Sequence, residues 1–154
     1  MKNTKQQLIL DQTDRKLITF RSLQSVIIPP KGWINTFRTA LKMSLRQLGN
    51  RMNFTAQNIK QMEEREVNGT ISINSLQQVA RALDMKLVYG FVSKHESLEQ
   101  MIEKRANEIA REIVMRTNNS MTLEDQQNSE ERIKKAIAQK TVEIKNEMPK
   151  YLWD

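Results

Sequence analysis

The sequence predicts a mainly α protein, a helix-turn-helix bundle with flanking amphipathic helices and one or two short β-strands. Three observations lead there. Apolar residues recur every three to four positions along most of the 154 residues, the spacing of helices that bury one face. The stretch from Ser44 to Glu63, SLRQLGNRMNFTAQNIKQME, reads as two short helices joined by a tight turn. Lys86 to Ser93, KLVYGFVS, breaks the helical pattern with Val, Tyr and Phe, the composition of a strand.

The Ser44–Glu63 stretch organises the rest. Leu45, Leu48, Met52, Phe54, Ile59 and Met62 supply its apolar positions. Ser44 can cap the first helix by accepting from an orphan backbone N–H. Gly49 is small where the second helix must come close. Asn53 falls at the turn, where positive φ is needed, and Thr55 caps the second helix. Ala56, Gln57, Asn58, Lys60 and Gln61 follow, all small, amide or basic. An amide side chain can hold adenine in the major groove by two hydrogen bonds, and a helix N-terminus favours phosphate.

The stretch resembles the Cro/CI-type (lambda-repressor-like, XRE) helix-turn-helix. The likeness covers roughly residues 33–84, with Leu48, Gly49, Asn53, Phe54, Thr55, Ile59 and Glu63 in register. It implies DNA binding. By that resemblance Ala56, Gln57, Lys60 and Gln61 would face base edges, and Thr55 would contact phosphate at the start of the recognition helix. Ser44 and Asn58, at the helix starts, are the companion phosphate contacts. Arg38 and Glu63 match a partly buried structural ion pair. The chain departs from the pattern twice. Leu45 stands where a phosphate-contacting Gln is common, and Ala56 where a base-reading Gln is common, although Ala56 can still touch a thymine methyl.

The formal charge of +7 is unevenly placed. Residues 1–92 hold 14 Lys/Arg and 6 Asp/Glu, a net of +8, whereas residues 93–154 hold 11 and 12, a net of −1. The excess therefore lies with the helix-turn-helix, as a nucleic-acid footprint requires. With no cysteine there is no disulfide, thiolate metal site or cysteine nucleophile. His95 is the one histidine. There is no metal-ligand spacing, no phosphate-cradling Gly run and no carboxylate pair in a recognisable context. The chain is read as a non-enzyme without cofactor or metal. No run approaches a membrane span and the polar N-terminus is not a signal peptide, so a cytoplasmic location is expected.

In chain order, residues 4–24 read as an amphipathic helix, with Leu10, Thr13, Leu17, Phe20 and Gln24 on one stripe. Ser25 to Ile28 is a short extended piece ended by Pro29-Pro30, so residues 1–30 form a first segment. Residues 31–85 form the DNA-binding domain. Its first helix spans 33–42, with Trp33, Ile34, Phe37 and Leu41 inward. A polar loop is expected from Glu64 to Thr70, with Asn68-Gly69 as turn punctuation. There Arg65 could lie along phosphates while Glu64 and Glu66 would repel them. Ser72 or Asn74 then caps a helix through Leu83. Residues 86–93 form the strand, a candidate dimer element carrying Leu87, Val88, Tyr89 and Phe91. Its partner would be Val26–Ile28 or the same strand of a second chain. A homodimer is also expected because one short recognition helix reads only a half-site. Residues 94–154 form a helical region with helices over 96–117 and about 129–147, ended by Pro149. They would cover the core, a dimer seam or a protein partner, and Leu152 and Trp153 should find a docking site.

More widely, the chain resembles the family called mobile mystery protein A. The carrying segments are LDQTDRKL, PPKGWINTFRTALKMSLRQLG, GTISINSLQQVARALDMKLVYGFV, MTLEDQ and the closing LWD. Members are typically encoded beside a Fic-domain protein. The resemblance implies a sequence-specific transcriptional regulator, an antitoxin that represses its own promoter and accompanies a Fic-domain toxin. The alternatives are an antitoxin acting mainly by direct inhibition of the Fic partner, and a stand-alone phage-like repressor. Ser120 and Glu124 match the S-x-x-x-E part of a Fic-inhibitory motif, but Asp125 follows where Gly or Asn is usual. The same pair also suits a helix cap.

Overall fold

The computed structural model describes residues 4–118 and 126–154, the latter stretch with side chains from residue 130. Its regular elements are helices: α1 (Thr4–Ile18), α2 (Gly32–Ala40), α3 (Leu45–Met52), α4 (Ala56–Asn68), α5 (Ile73–Ala82), α6 (Leu98–Thr117) and α7 (Gln126–Glu147). Two 3-10 turns, Arg21–Ser25 and Lys150–Trp153, accompany them. The chain divides into two compact units, residues 25–90 and residues 1–24 with 91–154.

The mainly α class holds, but the expected strands do not form. Among the described residues there is no strand. Lys86–Ser93 and Val26–Ile28 are both without regular structure. β-propensity measures how well side chains suit a pleated, packed surface, and a strand exists only when its backbone is paired. Among the described residues neither segment has a ladder partner.

In the unit of residues 25–90, α2 to α5 surround Ile34, Leu48, Ile59, Met62, Val79 and Leu83. Leu48 and Ile59 are fully buried, so each of the two helices around the turn drives one aliphatic side chain into the centre. The α3–α4 turn is built from two residues. Asn53 adopts the left-handed conformation (φ 57°, ψ 37°) and closes α3. Gly49 lets the chain cross it closely, because a Cβ there would lie 2.5 Å from the Phe54 carbonyl oxygen. Phe54 itself is 39 % exposed, less buried than its place in the apolar pattern suggests. Trp33 stacks on Phe37 with ring centroids 5.6 Å apart.

In the other unit, Leu10 of α1 joins Ile102, Ala106, Ile109 and Ala110 of α6, Ile144 of α7 and Leu152. Leu10 of the N-terminal helix is therefore buried against the C-terminal helices, while Thr13 and Leu17 of the same stripe are half-buried. α1 ends at Ile18, earlier than residue 24, and passes into the 3-10 turn. The Asp14 carboxylate accepts from Leu98 N–H at 2.8 Å, beside the Ser97 cap of α6. Leu152 is buried to 1 % and Trp153 remains 56 % exposed, so of the two apolar residues expected to dock it is the leucine that does. Arg105 holds the terminal turn by donating to the carbonyls of Leu152 (2.8 Å) and Asp154 (2.6 Å). No helix among the described residues is long and apolar enough to cross a membrane.

Candidate nucleic-acid interface

Both helices of the turn begin with the same device. Ser44 Oγ accepts from Gln47 N–H (3.1 Å), and Gln47 Oε1 accepts from Ser44 N–H (2.8 Å). Thr55 Oγ1 accepts from Asn58 N–H (3.1 Å), and Asn58 Oδ1 accepts from Thr55 N–H (2.9 Å). These are two reciprocal capping boxes, each satisfying two orphan donors. They leave the N–H groups of the first two helical residues, Leu45 and Arg46 in α3 and Ala56 and Gln57 in α4, pointing out of each helix start.

The second box changes what Thr55 can offer. Its hydroxyl also donates to Asn58 Oδ1 at 2.7 Å, so its one proton is spent within the protein. Within this box the side-chain donor left is the exposed amide NH2 of Asn58. In the first box the Ser44 hydroxyl proton has no partner among the described residues.

Along α4, Ile59 and Met62 are buried, while Gln57, Asn58, Lys60, Gln61, Glu64 and Arg65 are exposed. Ala56 is half-buried and offers only a methyl group. Gln57, Gln61 and Glu64 lie one turn apart in succession on one face. Lys60 and Arg65 have no ion pair among the described residues. Glu64 puts one negative charge on the same stripe, beyond the two amides. Of the residues expected to face bases or phosphates, Thr55, Gln57, Asn58, Lys60 and Gln61 are gathered at the start and outer face of α4, Ala56 there is half-covered, Arg65 lies on its last turns, and Ser44 stands apart at the start of α3.

Arg65 is on a helix and not in a loop. α4 continues through Asn68 and closes on Gly69 in the left-handed conformation (φ 74°), which corrects the polar loop expected from Glu64. The helix persists because the Glu63 and Glu66 side chains are engaged with α2. Arg38 Nε donates to Glu63 Oε1 at 2.6 Å and Arg38 Nη2 to Glu63 Oε2 at 3.3 Å, a bidentate pair with side chains 16 % and 12 % exposed. Asn35 Nδ2 also donates to Glu63 Oε2 (3.0 Å), and Arg38 Nη1 donates to the Met43 carbonyl (3.0 Å). The pair therefore links α4, α2 and the turn ahead of α3. Glu66 accepts from the N–H groups of Trp33 (2.7 Å) and Ile34 (3.0 Å). Its half-buried carboxylate is thus engaged at the start of α2.

No family model, curated protein or solved structure matches this chain.

Three groups of residues fall elsewhere. Leu87 is half-buried, and Val88, Tyr89 and Phe91 are exposed. They lie in chain without regular structure, so the strand expected there is absent among the described residues. Ser120 and Glu124 lie outside the described residues. Among the described residues no group of three or more His, Asp or Glu could hold a metal ion. Sequence reasoning missed the capping roles of Gln47 and Asn58 and the contacts of Glu66 on α2. Gln47 and Asn58 show the S/T-x-x-Q/N spacing of a capping box, which was readable. Glu66 carried no readable signal except its place three residues after Glu63.

Proposed function

We propose that this protein is a sequence-specific DNA-binding regulator that inserts the start of α4 into the major groove and acts as a homodimer on two half-sites. The observation that carries the reading is the pair of capping-box helices, α3 and α4, packed through a close glycine crossing with amide and basic side chains outward. Gln57 and Gln61 supply base discrimination, about 1–3 kcal/mol for each good bidentate contact. The Asn58 amide, the Ser44 hydroxyl and the free N–H groups at both helix starts hold phosphates. Autorepression and association with a Fic-domain toxin belong to the proposal on the strength of the family resemblance alone.

The test is binding of the full chain to the DNA upstream of its own gene, followed by fluorescence anisotropy against random duplex at two salt concentrations. Binding that survives the competitor, with two protomers per site, supports the reading. Gln57→Ala and Gln61→Ala should then relax specificity at separate base positions. A specificity profile untouched by both substitutions would remove these residues from the base-reading role.

A further inference from the structure

α2 starts badly by its own means. Lys31, its N-cap residue, makes no side-chain cap bond, and the first turn contains no acidic residue. The N–H groups of Trp33 and Ile34 would be left without acceptors. Glu66, more than thirty residues later and on α4, supplies both, one carboxylate oxygen to each at 2.7 and 3.0 Å. These are charge-assisted bonds made at the positive end of the α2 dipole.

The local sequence is shaped to admit that carboxylate. Gly32 has φ +81°, and a Cβ there would stand 2.7 Å from Glu66 Oε2. Glu66 is also misplaced with respect to its own helix. It lies in the last turn of α4, where a negative charge opposes the dipole. Its contacts on α2 offset that cost.

Glu63 lies one turn earlier on the same face of α4 and grips Arg38 and Asn35 further along α2. A single attachment would let α4 pivot on α2. Two attachments, at the start of α2 and further along it, fix tilt as well as position.

We infer that Glu66 is a positioning residue, which caps α2 from the recognition helix and thereby sets the angle at which Gln57 and Gln61 are presented. The inference rests on α4 being the DNA-reading helix. Glu66 touches no DNA in this scheme and acts through the backbone of α2.

The experiment uses full-length Glu66→Ala, Glu66→Gln and Val79→Ala, the last a buried α5 residue of the same core that serves as a stability control. Two quantities are measured well below the unfolding transition. One is amide hydrogen exchange at Trp33 and Ile34. The other is discrimination between the chain's own upstream duplex and a scrambled duplex of equal composition. Glu66→Ala should speed exchange at both amides and cut discrimination about tenfold. Glu66→Gln keeps one acceptor and should fall between, which also serves if the alanine variant does not fold. Val79→Ala should leave discrimination unchanged.

Faster exchange with wild-type discrimination in both Glu66 variants overturns the positioning role and leaves Glu66 a structural cap. An equal loss of discrimination in Val79→Ala overturns it too, because the effect would then follow stability. If the wild type does not discriminate, the DNA reading and the positioning role fall together, while the exchange data still report whether the cap exists.

Discussion

A Cβ on residue 49 would press on the Phe54 carbonyl oxygen at 2.5 Å, and that contact decides the sign of a substitution that helix propensity alone would favour. Gly49→Ala gains up to about 1 kcal/mol of intrinsic helix preference. Overpacking against backbone costs about 1–3 kcal/mol, and the carbonyl is held because Phe54 N–H donates to Gly49 O at 2.8 Å. The expected result is a lower thermal midpoint, by several degrees for a unit of this size. A midpoint at or above the wild type would show that the turn yields. Glu63→Ala removes the carboxylate from an Arg38 guanidinium that is 16 % exposed. Breaking a buried pair from one side costs about 3–5 kcal/mol, and the remaining solvent contact places this one near the lower end. Chemical denaturation should show that loss, with much of it recovered in Arg38→Met/Glu63→Leu. A double variant no better than the single would mean that the Asn35 and Met43 contacts matter more than the charge pair. Gly49 was legible from its place before the turn, and the Arg38–Glu63 pair was implied by the family resemblance. Glu66 was not legible, because its partners are backbone groups over thirty positions away.

At the level of elements, the helix boundaries follow the capping chemistry. Ser44, Thr55 and Ser72 each accept from the backbone N–H three residues on, and Asn53 and Gly69 close α3 and α4 in the left-handed conformation. These signals are local and were readable. The segment Lys86–Ser93 misled for the opposite reason, since its composition states what it could pair with and not whether a partner is present. α6 and α7 are joined at their surface by Lys145, which lies 3.2 Å from both Glu99 and Glu103. Burial acts to lower the Lys145 ammonium pKa, and its hydrogen bonds to the two carboxylates outweigh burial and raise it above the ordinary 10.5. A group whose folded pKa is raised contributes stability that is complete below its unfolded value and lost as pH climbs through the folded one. Lys145→Met should therefore be slightly less stable than wild type, by about 0.5 kcal/mol for an exposed pair. The gap should hold from neutral pH up to 10.5 and close above it. A gap that instead opened with rising pH would contradict the assigned pairing.

Across the whole molecule, charge separates the two units. Residues 25–90 carry nine Lys/Arg and four Asp/Glu, a net of +5, and the remaining residues carry a net of +2 of the formal +7. Two of the four acids, Glu63 and Glu66, are spent on α2, so the outward charge of the helix-turn-helix unit is more positive than its count. If this face meets DNA, log affinity should fall linearly with log salt. Arg65→Ala should weaken binding to all duplexes alike and lower that slope by about one. A strongly sequence-dependent effect would move Arg65 from the phosphate to the base-reading surface. The sequence by itself determined the helical class, the two-helix turn with its caps and the basic bias of the first half. All of these are written in short-range spacing or in composition. Tertiary structure alone decided that the N-terminal helix belongs with the C-terminal ones, that α4 runs on through Asn68, and that the valine-rich segment stays unpaired. It also decided that Glu66 turns from solvent to the start of α2. Each of those outcomes depends on which distant surfaces meet, and residue periodicity tells which face of an element is apolar without naming what covers it.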